Sequence, residues 1–265
     1  MDLEKLTKEV CRVAREAGAY IHKERTRFSV DQVERKHAHD YVSYVDKGSE
    51  QMIVKALKAL LPEAGFITEE GLATHHDEQM LWVVDPLDGT TNFIHGFAPY
   101  AVSIALTRGR EIIIGVVYEI CANECFYAWK GGGAYVDGKA IHVGNSAIGD
   151  ALICLQLPYN SDAYKPVIEQ LIERFYGNVG SIRMIGSAAM ALCYVAAGRL
   201  DAYAERYIGQ WDYMAGALIV KEAGGRVTNY EGDDYMMEGD SVVATNGVTH
   251  KPLLEAIASL SLAAS

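Results

Sequence analysis

Asp85 and Asp88 stand on either side of Pro86-Leu87 in the segment Trp82-Val83-Val84-Asp85-Pro86-Leu87-Asp88-Gly89-Thr90-Thr91-Asn92. An apolar run delivers the segment and a glycine turn follows it. Both carboxylates can therefore be held on one side, with the backbone N–H groups from Gly89 onward turned toward an anion. Mg²⁺ takes hard oxygen ligands of this kind. A phosphoester hydrolase built on two metals needs a carboxylate that can bridge them and others for each. Asp85 and Asp88 supply such a pair, the Leu87 carbonyl adds a hard oxygen, and Thr90 and Thr91 offer hydroxyls to a water or a phosphate oxygen.

Two further acidic positions extend the set. Glu69 and Glu70 end the short strand Gly65-Phe66-Ile67-Thr68, and Asp212 follows Trp211 at a helix start. Each residue also has a plainer reading. Asp85 and Asp88 can form an Asx turn around Pro86 and Gly89, Asp212 can cap its helix, and Glu69-Glu70 can be a solvated pair.

The elements that must position these residues follow from periodicity. Leu3, Leu6, Val10, Ala14 and Ala17 predict a helix over residues 2 to about 25. A polar stretch, Arg25 to Asp40, reads as a loop or short hairpin. A second helix is predicted over Lys47 to Leu61, ended by Pro62. Leu81 to Val84 is a strand running into the acidic turn, and residues 71–79 read as a surface loop. Ala101 to Leu106 and Ile112 to Tyr118 predict paired strands, with Cys125 to Trp129 a third. Gly131-Gly132-Gly133 reads as a tight connection, because Val136-Asp137-Gly138-Lys139 after it is another turn. Past residue 145 the pattern gives a strand over Leu152 to Leu157, helices over Ala163 to Phe175 and Gly186 to Ala197, and a strand over Leu200 to Glu205. A helix over Asp212 to Ala223 stops at Gly224-Gly225. A strand near Ser241 to Thr245 and a helix from about Lys251 close the chain. The expectation is an α+β protein with mixed or antiparallel sheets. It forms one domain, 1–265, made of two halves, 1–145 and 146–265.

Composition narrows the function classes. The chain has 265 residues, 24 Lys and Arg against 35 Asp and Glu, and a formal net charge of -11. That balance argues against direct nucleic-acid binding, yet a bound divalent cation inverts the local sign, so a phosphorylated substrate is compatible. Five cysteines, none in a CxxC, and a charged amphipathic start suggest a reduced cytoplasmic protein. No apolar run is long enough to span a bilayer.

Taken together, the motifs resemble the inositol monophosphatase family of Mg²⁺-dependent, lithium-sensitive-type phosphatases. Asp85-Pro86-Leu87-Asp88-Gly89-Thr90-Thr91-Asn92 looks like its first signature. Trp211-Asp212-Tyr213-Met214-Ala215-Gly216 with Glu222-Ala223-Gly224-Gly225 looks like its second. Thr68-Glu69-Glu70, Gly115-Val116-Val117-Tyr118, Gly186-Ser187-Ala188-Ala189 and Gly198-Arg199-Leu200-Asp201-Ala202 match blocks between them. Asp40-Tyr41-Val42-Ser43-Tyr44-Val45-Asp46 matches another, with Tyr41 and Ser43 where Leu and Thr are common; the spacing and the hydroxyl are kept.

The resemblance implies a layered α-β-α-β-α sugar-phosphatase fold, a homodimer, and two or three Mg²⁺ per subunit with Mn²⁺ as a substitute. By position, Glu69, Asp85 and the Leu87 carbonyl would hold the metal that activates water. Asp85, Asp88 and Asp212 would hold the one at the leaving oxygen. Asp46 and Thr90 would orient the water, so that Asp46, Glu69 and Thr90 count as catalytic. Asp88, Gly89, Thr90, Thr91, Gly186, Ser187, Ala188 and Glu205 would meet the substrate, with Lys36, Glu70 and Arg206 as further candidates. The substrate expected is a small phosphorylated polyol or sugar, myo-inositol monophosphate first. Histidinol phosphate, fructose 1,6-bisphosphate and a 3′-phosphoadenosine nucleotide are the alternatives. Some bacterial members of the family look like partners of RNA polymerase or of ribosomal-RNA maturation, a role independent of turnover.

Overall fold

The structure, a computed structural model, describes residues 1–29, 33–37, 40–71, 79–157, 161–234 and 240–259; of 34–37, 40–41 and 161–164 only the backbone is described. Helix α1 (Leu3–Arg25) starts where Asp2 accepts from Lys5 N at 3.0 Å, and buries the stripe Val10, Val13, Ala14, Ala17 and Ile21. The polar stretch after it holds a hairpin, β1 (Val33–His37) and β2 (Asp40–Ser43). Helix α2 spans Tyr44–Leu60. It begins three residues earlier than predicted, because Ser43 and Asp46 form a capping box that periodicity alone does not register.

The large sheet runs β3 (Gly65–Thr68), β4 (Met80–Asp88), β5 (Ala101–Arg108), β6 (Glu111–Glu119), β7 (Glu124–Trp129), β8 (Ala134–Val136), β9 (Lys139–Ala140). Only β3–β4 is parallel among its pairs. The small sheet has the order β11 (Ser181–Arg183), β10 (Leu152–Leu155), β12 (Ala202–Arg206), β14 (Ser241–Thr245), β13 (Arg226–Thr228). Both are mixed, as the sequence suggests.

Strand parity stacks the layers. On β5, Val102, Ile104 and Leu106 face α1 and α2, while Ala101 and Ala105 face α5 (Ala188–Ala196) and α6 (Gln210–Glu222). On β12, Tyr203 faces that same central helical layer, and Ala202 and Ala204 face α4 (Ser161–Phe175) and α7 (His250–Ala258). The result is α-β-α-β-α. Gly216 of α6 lets the two central helices close up, since a Cβ there would come within 2.5 Å of Leu192 Cβ. The small residues of α5 pack in that same central layer, buried between the two sheets. Among the described residues no helix is long and apolar enough to cross a membrane.

One sequence expectation needs correction. Strand β4 does not end at Val84; it continues through the acidic segment to Asp88. Asp85 pairs with Ser103 and Asp88 with Ala101, so β4 takes three steps where β5 takes two. Pro86 has no N–H for the ladder, and the extra residue is absorbed as a bulge. In a regular strand residues i and i+3 point to opposite faces. The bulge restores the parity and brings both carboxylates to one side.

Candidate active site

After Asp88 the chain turns on Gly89, whose φ is +85° and which caps α3 (Thr90–His95). A Cβ at Gly89 would meet Gly186 O at 3.1 Å and Pro99 O at 3.2 Å. Asp85 Oδ1 accepts from Leu87 N at 2.8 Å, so the Asx turn is real and leaves the rest of the carboxylate to the cavity. Asp212 arrives on the third residue of α6, where its Oδ2 accepts from Gly209 N at 2.8 Å. It supports the helix start from inside, and Gly209 holds the cap position the sequence reading offered to Asp212. Ser103 Oγ donates to Trp211 O at 3.0 Å, which ties that helix start to β5 beside Asp85.

Oxygens of Asp85, Asp88 and Asp212 all lie within 4.8 Å of one another. Burial pushes the carboxyls of Asp85 and Asp212 well above the carboxylate range, and Glu69 and the other acids of the cluster push them further. Asp88 is raised by burial to about 6, held down by donors on α5. Those donors are Ser187 Oγ, Ala188 N at 3.2 Å and Ala189 N at 3.1 Å. Such a group of buried like charges is stable only with protons or cations among them.

A cavity of about 400 Å³ opens over the cluster. Of the residues predicted for the site, Glu69, Asp85, Leu87, Asp88, Gly89, Thr90, Thr91, Gly186, Ala188, Glu205 and Asp212 line it. Asp46 lies behind the wall: its Oδ2 accepts from Ser43 N at 2.8 Å and Ser43 Oγ at 2.6 Å, and its Oδ1 is 3.0 Å from Thr90 Oγ1. Burial raises the Asp46 carboxyl, against the hydrogen bonds it accepts. Ser187, fully buried, reaches the cavity only through Asp88. Glu205 accepts from Tyr203 Oη at 2.5 Å, and burial lifts it to about 7.

Of the three further candidates, Arg206 and Glu70 do not join this wall. Arg206, on the opposite face of β12 from Glu205, pairs with Asp240 at 3.1 Å and packs over Tyr207. Glu70 is held by its backbone N–H, 2.9 Å from Glu50 Oε2. Lys36 is on β1, and its side chain lies outside the described residues.

Some lining residues carry no sequence signal. Gln156 follows the end of β10 and accepts through Oε1 from Ile185 N at 3.0 Å and Gly186 N at 3.1 Å, which sets the loop before α5. Tyr207 lines the mouth with a left-handed backbone, φ 60°.

The sequence model of a family described as the Inositol monophosphatase family matches residues 2–262. An inositol-1-monophosphatase of Mesorhizobium japonicum is 39% identical over 228 residues, covering 85% of this chain and 86% of that one. A Nus factor SuhB of Pseudomonas aeruginosa is 39% identical over 256 residues, covering 93% of each. Among solved structures, the extragenic suppressor protein suhB from Bartonella henselae superposes with a TM-score of 0.89 at 34% identity, over 95% of this chain and 98% of that chain.

Proposed function

This chain belongs to the inositol monophosphatase family, and from that footing we propose that it is a Mg²⁺-dependent phosphatase of a small phosphorylated polyol, myo-inositol monophosphate first. The observation that carries the reading is the meeting of Asp85, Asp88 and Asp212 with Glu205 in one cavity. The donor set fits a hard cation: carboxylates of Glu69, Asp85, Asp88 and Asp212 and the Leu87 carbonyl, with no thiol or imidazole among the described lining residues. When bound there, Mg²⁺, or Mn²⁺ in its place, supplies charge to offset the phosphoryl oxygens and makes the attacking water more acidic.

The protein's own groups set the geometry. Thr90 Oγ1 is 3.0 Å from both Asp46 Oδ1 and the Leu87 carbonyl, and its single proton serves one of them at a time. Were a cation held at that carbonyl, the Thr90 hydroxyl would donate its hydrogen bond to Asp46. Its lone pair would then be left to accept a hydrogen bond from a water, which aims that water at phosphorus. Attack is in line, with the ester oxygen leaving on the far side. Glu205 keeps one carboxylate oxygen on Tyr203 and offers the other to a substrate hydroxyl. A reduced cytoplasmic setting suits the five free cysteines, and a homodimer is expected of the family.

Phosphate release is the test, measured with myo-inositol 1-phosphate, histidinol phosphate, fructose 1,6-bisphosphate and 3′-phosphoadenosine 5′-phosphate, with Mg²⁺ and with EDTA. A hundredfold preference in kcat/KM for the inositol ester is expected. Preference for histidinol phosphate would keep the chemistry and change the substrate. No Mg²⁺-dependent release from any of them would sink the reading. The likeness to a Nus factor favours a second role in transcription. RNA polymerase subunits co-purifying with the Asp85→Asn protein would support that role.

A further inference from the structure

One stripe of α2 grips three walls of the cavity. Asp46, Ser49 and Glu50 sit at i, i+3 and i+4 on that helix, and all three are fully buried. Asp46 meets Thr90. Ser49 Oγ donates to Pro86 O at 3.0 Å, inside the bulge between Asp85 and Leu87. Glu50 Oε1 accepts from Thr68 Oγ1 at 2.8 Å and Oε2 from Glu70 N at 2.9 Å. These donors are the residues immediately before and after Glu69. Strand β3 ends at Thr68, and Glu69 N still bonds Val84 O at 3.1 Å. Beyond that bond, Glu50 is what ties the Glu70 backbone N–H to the helix.

We propose that Glu50 is a positioning residue for Glu69, fixing the backbone on both sides of it so that its carboxylate is held toward the cavity. The proposal rests on reading the cavity as a Mg²⁺ site. A fully buried carboxylate is costly to desolvate and adds little net stability even when well bonded. Two bonds spent on the flanks of one acidic residue are explained by the placement of that residue. Groups that orient metal ligands from behind typically change affinity or activity 10- to 100-fold when lost.

The test is calorimetric titration of Mg²⁺ into the purified wild-type, Glu50→Ala, Glu50→Gln and Thr68→Val proteins, with thermal unfolding and kcat and KM alongside. Glu50→Ala is expected to weaken Mg²⁺ by about tenfold and to lower kcat more than it raises KM at saturating metal. Glu50→Gln should recover most of the affinity. Its amide oxygen can accept from Glu70 N while its NH₂ donates to the Thr68 hydroxyl, which turns to accept. Thr68→Val removes one of the two bonds, should give an intermediate loss, and carries the test if Glu50→Ala does not fold. Unchanged Mg²⁺ affinity in Glu50→Ala, with only a lower melting temperature, would overturn the proposal in favour of plain core packing. So would Glu50→Gln being as weak as Glu50→Ala, since charge and not position would then matter. A wild-type protein that binds no Mg²⁺ would defeat the metal-site reading itself; a wild type that binds, with Glu50→Ala unaffected, would defeat only the role of Glu50.

Discussion

Asp46 and Asp212 hold the same place on two different helices. Each is the third residue of its helix, and each accepts through Oδ2, at 2.8 Å, from the N–H of the residue three before it: Ser43 for Asp46, Gly209 for Asp212. One oxygen of each carboxylate is thus spent on a helix start, which fixes the side chain, and the other is left to the site. Capping and chemistry are served by the same residue, because a first-turn N–H in need of an acceptor is also a rigid anchor.

Thr90 depends on that arrangement. Thr90→Val keeps the branched shape and removes the hydroxyl between Asp46 and the Leu87 carbonyl. We expect kcat to fall by about 10²–10⁴, the usual contribution of a group handling a proton in the transition state, with little change in KM. Thr90→Ser should restore most of the rate. Steady-state kinetics of the two variants decide it; equal damage from Val and Ser would show that the methyl, not the hydroxyl, matters.

Glu205 should act on binding. Its Oε2 is taken by Tyr203, so Glu205→Gln alters the one acceptor offered to a substrate hydroxyl. A hydrogen bond to a charged group contributes about 1.5–3 kcal/mol, so KM for a polyol phosphate should rise by roughly tenfold or more, with kcat less affected. A substrate that gives no KM change does not place a hydroxyl there.

Gly89→Ala tests the turn. A non-glycine residue held in the left-handed region costs about 1–3 kcal/mol, and the new Cβ would press on Gly186 O at 3.1 Å and Pro99 O at 3.2 Å. The loss should appear as a lower urea midpoint at unchanged slope.

His250 gives a pH dependence away from the cavity. It is buried between Thr228 and Thr245, each 3.0 Å from a ring nitrogen. Burial lowers its pKa from 6.5 to about 4, with Arg226 adding to the effect and Asp234 opposing it. The folded imidazole is neutral where the unfolded one takes a proton. Stability from this residue is therefore complete above about 6.5 and is lost as pH falls toward 4. Thermal unfolding from pH 7 to 4.5 should drop less steeply in His250→Gln than in the wild type; parallel curves would rule the residue out.

The acidic segment is legible in the sequence because side-chain type and order suffice to suggest it: Asp85, Asp88 and Gly89 with an apolar run before them. The bulge is not, because proline marks a break without saying whether the strand resumes. Glu50 is also hidden. An acid four residues after Asp46 on a helix looks solvated until β3 is known to end against it. Strands β11 and β13, three residues each, are too short to show alternation. They exist because the small sheet supplies neighbours for them. Asp212 illustrates the limit of local reading: its helix shows in the pattern, but its position inside the first turn depends on Gly209, which has no side chain to advertise a cap.

Removal of Asp85 separates folding from function most directly. Asp85 is buried against Glu69, Asp88 and Asp212, and its carboxyl is raised by burial first and by those charges next. Asp85→Asn removes one member of a repelling group while keeping an oxygen for Leu87 N. The metal-free protein should therefore fold and be no less stable than the wild type near neutral pH. Its catalysis should fall by at least about 10³, or roughly 4 kcal/mol, on the scale of electrostatic groups that act on a transition state. Mg²⁺ at a hundred times its dissociation constant stabilises a folded protein that binds it by about 2.7 kcal/mol. The wild type should thus melt higher with Mg²⁺ than with EDTA, and the variant should not. A variant that keeps both the melting shift and the Mg²⁺-dependent rate would place the metal elsewhere, and with it the chemistry assigned to this cavity.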